Sequence, residues 1–309
     1  AYAGQTGVVG AEAQPLQDLA YPVSKICDFG NKCDVDEVDL LRYLKEDAET
    51  RAIAMHLEGV RDGRRFLDAL RDVIPHKPVF IYKTGRTEAG ARASASHTGS
   101  MTGNGQVFDG LARQAGAILV TNWHDFWELP RVFDSQPLPR GNRFAIVTPT
   151  GGVGVASTDL AAENGLAVAR LTDATVDKLN GFFPRLARNP VDLGPALTVA
   201  ADPLAVVEST IYAVVDDPDV DCVMVVIHAG MLLSVPVVTG ILERVRQHNA
   251  TKPVSVWLYG TMMPQRQEMA RQLGAMGFPA YLEMHTAIKA LAVAARYAGT
   301  KAALGAGAA

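Results

Sequence analysis

The sequence is short of cysteine, short of charge runs of one sign and without any long apolar stretch, and each shortage removes a class of function. Three cysteines, Cys27, Cys33 and Cys222, make an odd number with no CxxC spacing. That argues against a disulfide framework and a thiolate zinc site, and a reducing, cytoplasmic setting is expected. No apolar run approaches the ~18 residues of a membrane span, and the opening "AYAGQTGVVG" has neither the basic head nor the apolar core of a secretory signal. The formal net charge is −4 with both signs interspersed, so no electrostatic footprint for nucleic acid or an anionic membrane is expected. A GxxxxGK[ST] phosphate loop, a GxSxG elbow and an HExxH helix are all missing, and the seven histidines lack paired metal spacing. No metal site is therefore expected in this chain.

The 309 residues are 48% hydrophobic, enough to bury a sizeable core, and at ordinary domain size they predict about two domains. From about residue 25 short β-branched runs alternate with helix-period segments: "KICDF", "DEVDLLRYLKED", "AIAMHLE", "GRRFLDALRDVI", "PVFIYKT". This is the βαβα order of a parallel sheet covered by helices. A loop of about twenty residues is expected after "PVFIYKT", long for a βα connection and therefore functional or disordered. "DSQPLPRGN" reads as a linker. A second parallel unit then opens at "RFAIVTPTGGVGVAS", with strands at "CVMVVI" and "PVSVWLY". The expectation is α/β, two parallel-sheet, flavodoxin-like domains over 1–135 and 136–300, with a disordered tail over 301–309. The missing initiator Met and an opening inside a strand-to-helix turn read as a chain that starts part-way through a larger protein.

Two glycine-rich turns, "QTGVVGAEAQ" and "PTGGVGVAST", stand where a strand meets a helix. A helix N-terminus exposes unpaired N–H groups and the positive end of the macrodipole, and glycine lets an anion come close, so two such turns could hold one phosphate. The plain alternative is that tight strand-to-helix turns need small residues anyway. Gly152, Gly154 and Ser157 also approach a dinucleotide fingerprint, but "LAVARL" ends in Arg170 where a carboxylate would meet the ribose, leaving only an NADP reading. Asn31-Lys32-Cys33-Asp34 imitates a guanine-recognition tetrad; without a phosphate loop it reads as a turn entering the next helix. His97 lies in "ARASASHTGSMTGNG", among small residues with nothing apolar to pack against, which suits a group that reacts. Glu58 ends the strand "AIAMHLE". Ligands of parallel sheets sit at the carboxyl ends of strands, where a carboxylate on one ring nitrogen of His97 would make the other the nucleophile. Each has a bland counterpart, a loop-capping histidine and a surface carboxylate.

Taken together, "GNKCDVDEVDLL", "HLEGVRDGRRF", "KTGRTEAGARASASHTGS", "PRGNRFAIVTPTGGVGV" and "NPVDL" resemble the NDP-forming (ADP-forming) acyl-CoA synthetases, relatives of succinyl-CoA synthetase. The resemblance runs in order over about residues 5–200. It implies an enzyme component that interconverts carboxylate, CoA and ATP with acyl-CoA, ADP and phosphate through an acyl phosphate and a phosphohistidine. By the match, the phosphorylated residue is His97 and the glutamate steadying its ring is Glu58. The phosphate-binding helix starts are Thr6-Gly7-Val8 and Gly151-Gly152-Val153-Gly154. CoA and ATP or ADP are implied as substrates, with Mg2+ on the nucleotide in an ATP-grasp domain. The CoA-binding domain and ATP-grasp domain of such enzymes are not in these residues, so both are implied as partners, in a homo- or hetero-oligomer. Two other readings remain: a non-catalytic regulatory or assembly module of a synthetase-like acyltransferase, and an NADP-binding protein.

Overall fold

Parallel strands buried on both faces need near-continuous aliphatic sequence, and the runs Ile53–Leu57 and Val79–Lys83 supply it. A computed structural model describes every residue except 6, 19, 99–102, 183, 185–187, 230–233, 250 and 307–309, and the side chains at 17, 18, 97, 98 and 306. The chain divides into two units, Ala1–Asp134 with Gly299–Ala309, and Ser135–Ala298.

In the first unit the elements run β1 (Tyr2–Gly4), α1 (Val8–Ala11), α2 (Ala13–Asp18), β2 (Ile26–Asp28), α3 (Glu37–Glu46), β3 (Ile53–Leu57), α4 (Gly63–Val73), β4 (Val79–Lys83), α5 (Glu88–Thr98), α6 (Gly105–Gln114), β5 (Ile118–Val120), α7 (Trp123–Glu128) and α8 (Val132–Ser135). Local chemistry sets several starts. Asp36 and Asp39 form a capping box on α3, while Asp62, Asn104 and Asn122 cap α4, α6 and α7 through their side chains. The sheet order is β2-β1-β3-β4-β5, every pair parallel, with Ala3 opposite Cys27 on one side and Met55 on the other. Order 2-1-3-4-5 is flavodoxin-like and puts the topological switch point between β1 and β3.

The twenty-residue loop expected after β4 is corrected here: residues 88–98 form the helix α5. Its alternation of alanine with serine and arginine looks like a flexible linker, yet alanine is the strongest helix former and Glu88 stands at the favourable end of the dipole. At the N-terminus the helix expected from Thr6 is a single turn, α1, separated from α2 by Glu12. Pro15 accounts for the break, since its ring would collide with the carbonyl four residues back.

The second unit runs β6 (Arg143–Thr148), α9 (Gly151–Glu163), β7 (Ala167–Val168), α10 (Asp173–Phe182), β8 (Val191–Asp192), α11 (Gly194–Val199), α12 (Pro203–Asp216), β9 (Cys222–His228), α13 (Val235–His248), β10 (Val254–Tyr259), α14 (Met263–Ala275), β11 (Ala280–Tyr281) and, up to Ala298, the first part of α15 (Met284–Ala306). The order is β11-β10-β9-β6-β7, and β8 also pairs with β6. β7 meets Arg143 and Phe144 while β8 meets Val147 and Thr148, so the two form one broken strand on the same edge of β6. The Asn189 amide bridges the break: its Oδ1 accepts from Ile146 N, and its Nδ2 donates to the carbonyls of Phe144 and Ala169. With that strand counted once, the second sheet repeats the 2-1-3-4-5 order, its switch point between β6 and β9. The expected tail is corrected in part: Lys301-Ala-Ala-Leu continues α15 as helix to Ala306, as its helix-favouring residues allow.

Candidate functional site

At the first switch point, three strand ends are tied together by side chains. β1 runs out at Gly4, and the next residue, Gln5, turns its Oε1 to accept from the N–H groups of Glu58 at 2.9 Å and Gly59 at 3.3 Å. Lys83, the last residue of β4, donates from Nζ to the carbonyls of Glu58 and Thr84. It is buried, and burial first, then the nearby Arg86 guanidinium, brings its ammonium down to about 8. Lys32 enters from the turn after β2, held at φ +62°, pairing with buried Glu37 at 2.7 Å and donating to the Gly59 carbonyl. Arg61 donates to the carbonyls of Asn31 and Lys32. The tetrad-like Asn31–Asp34 segment is thus bound up in this turn, which accords with its structural reading.

Glu58 is buried, 7% exposed, and its Oε2 accepts from Ser94 Oγ at 2.8 Å. Ser94 lies on α5, and residue 97 is three positions further along the same helix, the spacing that returns to the same face. The side chain of His97 and residue Thr6 lie outside the described residues. Gly7 is the N-cap of α1, with open space where a Cβ would stand, and Val8 is exposed. Gly10 N–H is already taken by Asp28 Oδ2 at 2.8 Å, so glycine there answers to packing: a Cβ would lie 2.3 Å from that oxygen.

α9 begins at Gly151, and its N-cap Thr150 makes no side-chain cap, so the first N–H groups are unclaimed by capping. The glycines here serve different ends. A Cβ on Gly151 would lie 2.9 Å from Asp192 Oδ2, and one on Gly154 2.9 Å from Pro190, so both are demanded by the fold. Gly152 is exposed with nothing within 4 Å, which leaves its backbone open to an incoming group. Val153 is half-buried beside it. The two units are alike in that an aspartate from the neighbouring strand, Asp28 or Asp192, abuts each glycine turn. At the end of β3 stands Glu58, whereas the corresponding end of β9 carries His228, whose Nδ1 is buried without a hydrogen-bond partner among the described residues. Arg170, on which the NADP reading rested, is exposed beyond the end of β7.

Gln5, Ser94, Lys83, Lys32 and Arg61 escape a reading of motifs. One signal was available for Lys83, a lysine closing an otherwise aliphatic strand, and one for Ser94, its three-residue spacing from His97. Among the described residues no group of three or more His, Cys, Asp or Glu could hold a metal ion, and no helix is long and apolar enough to cross a membrane.

Residues 1–133 match the family model described as succinyl-CoA ligase like flavodoxin domain. Over 291 residues the chain is 34% identical to subunit alpha of an ADP-forming acetate–CoA ligase II of Pyrococcus furiosus, covering 91% of this chain and 61% of that relative. It is 33% identical over 200 residues to an ADP-forming 4-hydroxybutyrate–CoA ligase of Nitrosopumilus maritimus, covering 62% of this chain and 28% of that one. Among solved structures, the dinucleotide forming acetyl-coenzyme A synthetase 1 of Ca. Korarchaeum cryptofilum, in complex with phosphate and ADP, superposes with a TM-score of 0.88 at 30% identity, over 100% of this chain and 66% of that one. The chain therefore spans about three fifths of the length of the alpha subunit it matches.

Proposed function

We propose that this chain, which belongs to the succinyl-CoA synthetase-like, NDP-forming acyl-CoA synthetases, is the part of such an enzyme that carries the phosphoryl group on His97. The observation that carries this reading is the Glu58–Ser94 hydrogen bond, which fixes a buried carboxylate at the carboxyl end of β3 against the helix that bears His97. In the proposed step an imidazole nitrogen of His97 attacks the phosphorus of an acyl phosphate. The N–P bond forms, the bond from phosphorus to the acyl oxygen breaks, and that oxygen leaves as carboxylate. The other ring nitrogen keeps its proton, so the ring becomes cationic, and Glu58 stabilises the charge and fixes the tautomer. Phosphoryl transfer depends chiefly on positioning and on neutralising oxygen charge, and each unit by itself offers an unobstructed backbone at a helix start, Gly7 before Val8 in the first and Gly152 within the turn Gly151–Gly154 in the second.

In the complete cycle phospho-His97 exchanges its phosphoryl group with ADP, and acyl phosphate exchanges with CoA. ATP with Mg2+ belongs to an ATP-grasp domain or subunit, CoA to a CoA-binding domain, and the working form is an oligomer with these partners. Three free cysteines agree with a reducing, cytoplasmic setting. The test is to incubate the chain with acetyl phosphate and longer acyl phosphates, then measure intact mass and the acid lability of any adduct. An acid-labile, alkali-stable phosphate present in wild type and absent in His97→Ala is expected. No adduct, even with CoA-binding and ATP-grasp domains added, would overturn the mechanism in favour of a regulatory module.

A further inference from the structure

The second unit contains a small cavity whose wall is almost entirely aliphatic, with about 40 Å³ of free space. Pro149, Leu193 and His228 line it, each at or just beyond the carboxyl end of β6, β8 or β9. Val207 of α12, Val238 of α13 and Leu197 of α11 close its sides. This is the switch point of the second sheet, where open parallel sheets take their ligands. Water is a poor occupant, since it needs two to four polar partners that this wall does not offer. Phosphate, nucleotide and the CoA pyrophosphate fail for the same reason. An apolar group would restore the packing that an empty cavity forfeits.

We infer that this cavity receives the hydrocarbon tail of the acid substrate, and that the acid is an apolar one with a chain longer than that of acetate, aliphatic or branched. The inference rests on the synthetase reading for the word substrate. Pro149 is separated only by Thr150 from the glycine turn Gly151–Gly154, so a tail against Pro149 leaves its carboxyl end toward the backbone proposed to hold phosphate. His228, among the lining residues, adds a buried ring nitrogen, Nδ1, with no hydrogen-bond partner among the described residues. A wall of this kind discriminates by chain length and shape, each additional methylene being worth roughly 10–200-fold at most in such pockets.

The experiment is methyl NMR on the chain with acetate and with isovalerate, alongside the phosphohistidine assay and, in the enzyme reconstituted with CoA-binding and ATP-grasp domains, kcat/KM across acetate, butyrate, isovalerate and hexanoate. Isovalerate is expected to shift the methyls of Leu197, Val207 and Val238 where acetate does not, and kcat/KM to rise about tenfold or more from acetate to the branched acid. Val207→Phe fills the cavity from its wall and should remove the preference. Leu197→Ala, at a half-buried position that tolerates truncation, should move the optimum to longer acids. Phosphohistidine formation with unmoved methyls, or a wild-type chain-length profile in both variants, overturns the inference and spares the synthetase reading. Methyl shifts with isovalerate but no phosphohistidine overturn the synthetase reading and keep the cavity as an apolar-acid site.

Discussion

Lys83 and His56 show how much a single buried polar side chain carries in this fold. His56 lies inside β3, its Nε2 bonded to Thr84 Oγ1 at 3.1 Å and its ring against Tyr82 and Trp123. Burial holds its imidazole down to about 4, so it is neutral at pH 7. Between pH 6.5 and 4 the unfolded chain binds a proton there that the folded chain does not. Stability conferred by this residue is therefore fully present above pH 6.5 and is lost as pH falls through that window. The loss should reach about 2 kcal/mol between pH 7 and pH 5. Urea midpoints of wild type and His56→Phe at the two pH values check it: the variant should show a flatter dependence, and equal slopes would remove His56 as the cause. Lys83 acts on the backbone instead, since its ammonium holds the carbonyls of Glu58 and Thr84. Lys83→Met leaves both without that donor and should cost about 1–3 kcal/mol in stability, readable by the same urea titration. It should also slow phosphorylation of His97 by loosening Glu58. A variant as stable and as fast as wild type would show that the two contacts are incidental.

At the scale of elements, α5 decides what the site can do. A loop would leave the backbone at residue 97 undefined; α5 sets it three positions beyond Ser94, whose hydroxyl already holds Glu58. Glu58→Gln keeps the shape and an acceptor for Ser94 but loses the charge that balances a cationic ring. Single-turnover phosphorylation of His97 should slow roughly 10–100-fold in that variant, the usual range for a lost orienting partner. Rates equal to wild type would take Glu58 out of the site. The helix was not legible because its alternation of alanine with serine matches neither an apolar stripe nor a strand, and helix propensity without periodicity is a weak signal. The strands were legible for the opposite reason. Ile53–Leu57, Arg143–Thr148 and Cys222–His228 are aliphatic runs that only a sheet buried on both faces would use. The broken strand β7 and β8 could not be read, because two-residue pieces carry no period and the Asn189 bridge between them is long-range. Glu58 was singled out as a candidate from its place at a strand end, whereas Gln5 and Lys83 were not, since strand-end polar residues are ordinary until a sheet order brings them together.

The whole molecule sets the same 2-1-3-4-5 sheet twice and gives the two copies different chemistry. In the first, charged groups crowd the switch point: Lys32, Lys83, Arg61 and Arg86 stand round Glu58 and Glu37. In the second, the corresponding place is an aliphatic cavity beside a glycine turn with an unobstructed backbone at Gly152. Under the proposed function the first unit carries the phosphoryl group on His97 and the second receives the acid. The chain on its own should therefore exchange phosphate between an acyl phosphate and His97 but release no ADP from acid, CoA and ATP. Adding a CoA-binding domain and an ATP-grasp domain in trans should restore ADP release, and His97→Ala should abolish it again. Phosphohistidine formation isolates the half-reaction assigned to this chain, and ADP release reads the full cycle. Full turnover by the unaided chain would place nucleotide chemistry within these residues and overturn the division of labour argued from the two sheets.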